Sequence, residues 1–202
     1  GEFGLVIPKG ISHVTKQVPR LLDDASNQLP GVLRQLITRL SEHLKDLDKL
    51  VDELEMQIKA WHRSSELSLR LEKIPGIGPL GASALVASIA DANSFANGRQ
   101  LSAWLGLVPR QHSSGGKPTL LGISKRGDVY LRTLLIHGAR SAILAAQRKA
   151  VNTNVWLVGL LSRRHPNVAA VALANKNVRT VWALLAHGRE FRPSYVPKQL
   201  AA

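Results

Sequence analysis

Cysteine is absent from this 202-residue sequence, which removes disulfides and thiolate metal sites and fits a reducing cytoplasm. Aromatic residues make up 4% of the chain, against 45% for the apolar set as a whole. A core must therefore be assembled from Leu, Val, Ile and Ala, which favours helices. No apolar run reaches the roughly eighteen residues of a membrane span, and there is no secretory-type apolar segment. The expectation is a soluble, cytoplasmic protein with no membrane partner.

Carboxylates are scarce in one part of the chain only. Residues 1–72 carry 10 Lys/Arg and 11 Asp/Glu, a balance of −1, whereas residues 73–202 carry 17 and 3, a balance of +14. A basic domain behind a neutral extension points to a polyanionic partner, of which nucleic acid is the commonest. The three acidic residues of the basic part, Asp91, Asp128 and Glu190, are isolated from one another. Two-metal catalysis needs clustered carboxylates, so these residues exclude a self-contained site of that kind. The histidines do not fall at zinc-ligand spacings. No metal and no cofactor is expected in this chain, and His43 and His62 are expected to be solvated.

What the sequence does contain is helical patterning. The first thirty residues are interrupted by Pro8, Gly10, Pro19 and Pro30, with room for a short helix over 14–22. From Leu33 a heptad seam runs unbroken, with Ile37, Leu44, Val51 and Ile58 at a, and Leu33, Leu40, Leu47, Leu54 and Trp61 at d. This predicts a coiled-coil or oligomerisation helix over 31–72 and a homodimer or higher homo-oligomer. Leu36 and Leu50 at g widen the stripe, and Asp48 and Glu55 at e face no basic g residue, so strand number and orientation stay unspecified. The alternative is a single helix packed on its own domain.

A compact helical domain is predicted over 73–190, followed by a loose tail over 191–202. It opens on Ile74-Pro75-Gly76-Ile77-Gly78 and an Ala-rich apolar helix, 81–90, the pattern of a helix–hairpin–helix. Gly76 and Gly78 permit φ > 0 and close backbone approach, and the second helix offers free N–H groups to a phosphate. Such a contact reads no bases. A plain helical hairpin would use the same glycines. Further helices are predicted over 99–105, 128–147 (with Arg132, Arg140 and Arg148 outward), 155–161 and 168–187, the last capped by Gly188.

Between two of these helices lies Gln111-His112-Ser113-Ser114-Gly115-Gly116-Lys117 and onward to Asp128, whose composition predicts a loop. It also holds the parts of a phosphoryl-transfer site. A serine can attack a phosphodiester if its proton has an acceptor, here His112, and if cations stabilise the phosphorane. Arg110, Lys117, Lys125 and Arg126 supply the charge, and Arg132 just beyond them is a further candidate to hold a phosphate. From residue types alone, a mobile Gly/Ser loop explains the segment equally well.

Three blocks carry a resemblance: I-P-G-I-G-P-L-x-A-x-x-L-V-A-x-I at 74–89, F-A-N-G-R-Q-L-S-A-W-L-G-L-V-P-R-Q-H-S-S-G-G-K at 95–117, and G-I-S-K-R-G-D-x-Y-L-R-T-L-L at 122–135. They resemble the C-terminal domain of the DEDD-type insertion-sequence transposases, bacterial recombinases guided by a bridge RNA. Residues 168–185 resemble the ending of one subgroup, and the likeness covers nearly the whole chain. The resemblance implies a serine nucleophile in the H-S-S-G block, carried over to Ser114 with Ser113 as fallback, that links covalently to DNA during strand exchange. It implies DNA and a guide (bridge) RNA as partners, and a nucleoid-associated place in a bacterial cytoplasm. It also implies an RNase-H-like N-terminal domain holding Mg²⁺ on an Asp/Glu/Asp/Asp tetrad. That tetrad has no counterpart here, so the chain, which starts at Gly1 without Met, is expected to be a piece of a longer protein, inactive alone. The competing readings are a non-enzymatic nucleic-acid-binding module and a structural oligomerisation domain.

Overall fold

The computed structural model describes residues 2–114, 117–149 and 155–193; the side chains at 113, 114, 117, 118 and 149 lie outside that description. The fold is mainly α, with eight α-helices and one two-stranded sheet among the described residues. The chain divides into two compact units, Gly1–Gln57 and Ile58–Ala202. That division falls earlier than the sequence boundary at residue 73, because the residues from His62 to Glu72 are tied into the second unit.

In the first unit, helix α1 spans Ile11–Asp23 and runs through Pro19, so this proline does not break the element. It forfeits the one N–H bond that proline cannot donate. The last carbonyls of α1 are orphaned acceptors, as at any helix end. Arg34, near the start of helix α2 (Gly31–Ser64), satisfies them. Its guanidinium donates to Leu22 O at 2.7 Å and Asp24 O at 2.9 Å, its Nε to Leu29 O at 3.2 Å, and it also bonds the Asn27 side chain. Along α2 the heptad residues Leu40, Leu44, Leu47, Val51, Leu54 and Trp61 are exposed in the single chain, and Leu33, Ile37 and Ile58 are partly buried.

The second unit contains α3 (Glu66–Glu72), α4 (Pro79–Ser88), a 3₁₀ turn at Ala92–Ser94, α5 (Gly98–Trp104), α6 (Val129–Lys149), α7 (Val155–Leu161) and α8 (Pro166–His187). Helix α8 is the centre, packing against α3, α5, α6 and α7. Its Ala169, Ala170, Ala174, Val178 and Val181 are fully buried with Leu71, Ile74, Leu85, Leu101, Leu105 and Leu131. His165 caps the start of α8, and Gly188, at φ 60°, ends it in the left-handed conformation that glycine tolerates.

His62 corrects the expectation that it is solvated: it is 3% exposed. Its Nδ1 lies 2.7 Å from Ser68 Oγ and its Nε2 2.9 Å from Glu72 Oε2. Ser68 Oγ in turn lies 3.4 Å from Ser83 Oγ of α4. The ring is buried because both nitrogens find partners within the second unit, which offsets the loss of hydration. His43 is exposed, as expected.

Candidate nucleic-acid interface

The Gly/Ser-rich run predicted as a loop is a β-hairpin. Strand β1 (Pro109–Ser114) pairs antiparallel with β2 (Lys117–Ile123), with a register irregularity between Pro109 and Gln111. His112 stands opposite Thr119, Ser113 opposite Pro118, and Ser114 opposite Lys117. Cross-strand pairing of this kind organises glycine-rich sequence that composition alone reads as irregular. Alternation along a strand puts positions 112 and 114 on one face of the ribbon and 113 on the other. The side chains of Ser113, Ser114 and Lys117 lie outside the described residues, as do Gly115 and Gly116 altogether. Arg110 and His112 are exposed.

Beyond β2, the turn from Ser124 to Asp128 is held from several sides. Ser124 N donates to Val108 O at 2.8 Å and Lys125 N to Gly106 O at 3.1 Å. Gly106 (φ 72°) and Gly127 (φ 90°) let this turn lie directly on the end of α5, since a Cβ on Gly106 would meet Arg126 N at 2.7 Å and one on Gly127 would meet Trp104 C at 3.0 Å. Lys125 is held at φ 56°, a conformation uncommon outside glycine that persists where surrounding bonds determine it. Asp128 caps α6 by accepting from Leu131 N at 2.9 Å. The result is a fixed turn presenting the exposed side chains of Lys125 and Arg126.

Arg132, expected outward and on a phosphate, points inward instead and is 7% exposed. Its Nη1 donates to Leu105 O at 3.1 Å and to Arg126 O at 3.3 Å. The carbonyls left over where α5 ends and the turn begins outcompete solvent for this guanidinium, whose planar fork suits several acceptors at once. It braces the turn from beneath.

The helical hairpin at 74–78 also differs from the phosphate-contact expectation in part. Gly76 (φ 93°) faces α6, where a Cβ on it would stand 2.7 Å from Gly138 O, so its missing side chain serves internal packing. Gly78 caps α4 with open space around it, leaving that helix start accessible. Pro75 O accepts from Asn177 Nδ2 of α8 at 2.9 Å, which fixes the turn. The hairpin and the Lys125 turn thus both rest on α6, at Gly138 and around Arg132. Those positions are six residues apart, about 9 Å along a helix.

All three carboxylates of the basic region are committed to structure. Asp91 accepts from Asn93 N at 2.8 Å, Asp128 caps α6, and Glu190 lies 3.4 Å from Lys73. Arg110, Lys125, Arg126, Arg140, Arg163, Arg164 and Arg179 are exposed and have no carboxylate within 4 Å among the described residues. An uncompensated basic surface of this kind attracts polyanions. No group of three His, Cys, Asp or Glu side chains that could hold a metal ion occurs among the described residues, which therefore do not fit the Mg²⁺ tetrad. No helix among them is long and apolar enough to cross a membrane.

Two polar anchors were not visible in the sequence pattern. Asn175 Nδ2 donates to Leu107 O at 3.0 Å, and the Trp182 indole to Ala92 O and Phe95 O. Both tie the segments around α5 to α8, and neither departs from an ordinary helix composition.

Residues 68–153 match the model of the transposase IS116/IS110/IS902 family. The chain is 47% identical over 194 residues to a probable family 20 transposase of Pseudomonas aeruginosa, spanning 96% of this chain and 57% of that protein. It is 42% identical to the transposase for insertion sequence element IS1111A of Coxiella burnetii, spanning 95% of this chain and 52% of the relative. It is 40% identical to the transposase for IS1328 of Yersinia enterocolitica, spanning 94% and 56%. The chain thus spans about half the length of the curated relatives it matches.

Proposed function

We propose, on the premise that residues 68–153 form a transposase domain of the IS116/IS110/IS902 family, that this chain is the DNA-binding and strand-exchange portion of an insertion-sequence transposase. Ser114 is its nucleophile. The single observation that carries this choice over Ser113 is the hairpin register, which sets Ser114 opposite Lys117 and on the same ribbon face as position 112. In the step envisaged, the Ser114 hydroxyl oxygen attacks a phosphodiester phosphorus. The Oγ–P bond forms, the bond to the leaving deoxyribose oxygen breaks, and the hydroxyl proton passes through His112 to that oxygen. Arg110, Lys117, Lys125 and Arg126 offset the charge of the crowded phosphorane. The phosphoserine bond is then reversed by the hydroxyl of an incoming strand.

The exposed seam of α2 supports self-association as a coiled coil. Mg²⁺ chemistry belongs to an RNase-H-like domain outside these residues, and a bridge RNA is the proposed guide. The test is a transposase containing this segment, incubated with guide RNA and DNA substrates and probed for covalent protein–DNA adducts. Adducts lost in Ser114→Ala and kept in Ser113→Ala support the reading. Adducts that survive Ser114→Ala overturn the serine assignment. Absence of adducts, with salt-sensitive DNA binding retained, favours the non-enzymatic module instead.

A further inference from the structure

Lys125 and Arg126 stand on the turn that rests on the end of α5. A second pair of cations is rooted where α5 begins. Gly98, the first residue of α5, is buried against α8. A Cβ on it would stand 2.9 Å from Arg179 Cα and 3.0 Å from Arg179 O. The missing side chain lets the two backbones meet, so Arg99, the next residue, and Arg179 arise from adjoining points of the surface. Both are exposed, and neither has a carboxylate within 4 Å among the described residues.

Two guanidiniums rooted this close repel each other, and no acid there offsets the repulsion. A phosphate would offset it, and its oxygens match the planar guanidinium fork. The first N–H groups of α5 are already spent, since Asn97 Oδ1 accepts from Arg99 N at 3.0 Å and Gln100 N at 3.1 Å. The arginine side chains alone are left to take the anion.

Helix α5 also fixes the distance between the two pairs. Gly98 meets Arg179 at its start, and Trp104 carries the Gly127 turn at its end. Those contacts are six residues apart, about 9 Å along a helix. The exposed residues between them include Gln100 and Ala103, and none is acidic. Phosphates of one DNA strand recur every ~3.4 Å along the duplex axis, so about 9 Å matches a separation of about three base steps.

We propose that Arg99 and Arg179 form a second phosphate-binding site for duplex DNA, which lies along α5 from the Lys125 turn and engages the same strand. The site reads no bases; it lengthens the grip that positions the duplex beside the hairpin. It rests on the reading of this domain as one that binds DNA.

The test measures affinity of the intact chain for a short DNA duplex across a salt series, with the number of duplexes bound per chain. The variants are Arg99→Gln with Arg179→Gln, the same two positions changed to Lys, Arg126→Ala, and Arg39→Gln on α2. Circular dichroism melts check that each variant folds. The double Gln variant is expected to lower the salt slope by at least about 0.9, and the double Lys variant to keep most of it. Adding Arg126→Ala should lower the slope by about 0.9 more, with one duplex bound per chain throughout. If the double Gln variant leaves the slope unchanged while Arg126→Ala lowers it, the second site is overturned and the DNA-binding reading stands. An equal loss in Arg39→Gln, an exposed arginine of the first unit, would reduce the effect to net charge and overturn the site. Two duplexes bound per chain would overturn the shared strand. A wild-type chain that does not bind the duplex overturns both the site and the reading beneath it.

Discussion

Gly76 and Gly138 meet backbone to backbone: a Cβ added to Gly76 would stand 2.7 Å from the Gly138 carbonyl oxygen. The turn before α4 can lie on α6 only because neither residue has a side chain. Gly138→Ala is expected to destabilise the second unit by roughly 2 kcal/mol or more, since backbone on both sides has nowhere to go. Gly159→Ala is the contrast, because a Cβ there meets nothing within 4 Å inside helix α7. It should gain up to about 1 kcal/mol from helix propensity. Urea denaturation followed by circular dichroism checks both, and equal midpoints for Gly138→Ala and wild type would refute the close approach.

Arg132 and Arg126 separate bracing from binding. Arg132→Ala removes a buried guanidinium from the Leu105 and Arg126 carbonyls and is expected to cost about 2 kcal/mol. Arg126→Ala removes only an exposed side chain, so stability should stay within about 0.5 kcal/mol of wild type. Arg126→Ala should instead reduce the salt slope of duplex binding by about 0.9, the share of one phosphate contact. Thermal melts and affinities across a salt series distinguish the two outcomes.

Much of the helical layout was legible because period and punctuation agree: 155–161 and the Gly188 stop are read directly from spacing and glycine. The hairpin at 109–123 was not, because glycines and serines carry no alternation of apolar residues to mark a strand. Its backbone pairing is settled by β1 meeting β2, not by side-chain pattern. Arg132 was misread for a related reason. An arginine in a basic helix looks like its exposed neighbours until the positions of unsatisfied carbonyls are known. His62 likewise depends on Glu72 and Ser68 returning to it across a helix break that spacing does not reveal.

His62 makes its own prediction. Its removal leaves Ser68 Oγ buried with a weaker set of partners and opens a void beside α3. His62→Ala is expected to cost about 3 kcal/mol, the sum of a lost buried hydrogen bond and a cavity. Glu72→Gln keeps a hydrogen-bonding group of the same shape at a side chain that is 42% exposed, and should cost less than about 1 kcal/mol. Chemical denaturation at fixed pH measures both. A loss for Glu72→Gln as large as for His62→Ala would mean that the ion pair, rather than the burial of the ring, holds the network.

The seam of α2 yields the last prediction. Leu40, Leu47 and Leu54 are 68%, 44% and 56% exposed in the single chain. Burying a leucine stabilises by about 1.5–3 kcal/mol, so three at successive d positions supply a strong drive toward a second copy. Sedimentation velocity at micromolar concentration is expected to show a dimer or higher homo-oligomer for the wild-type chain. Leu47→Glu together with Leu54→Glu should release monomers that keep their helix content, because these side chains face outward on α2. Asp48→Lys, an exposed change at the adjacent e position, should leave the assembly intact. A monomeric wild-type chain would show that the apolar stripe is covered by something other than its own copy, and the heptad reading would fall with it.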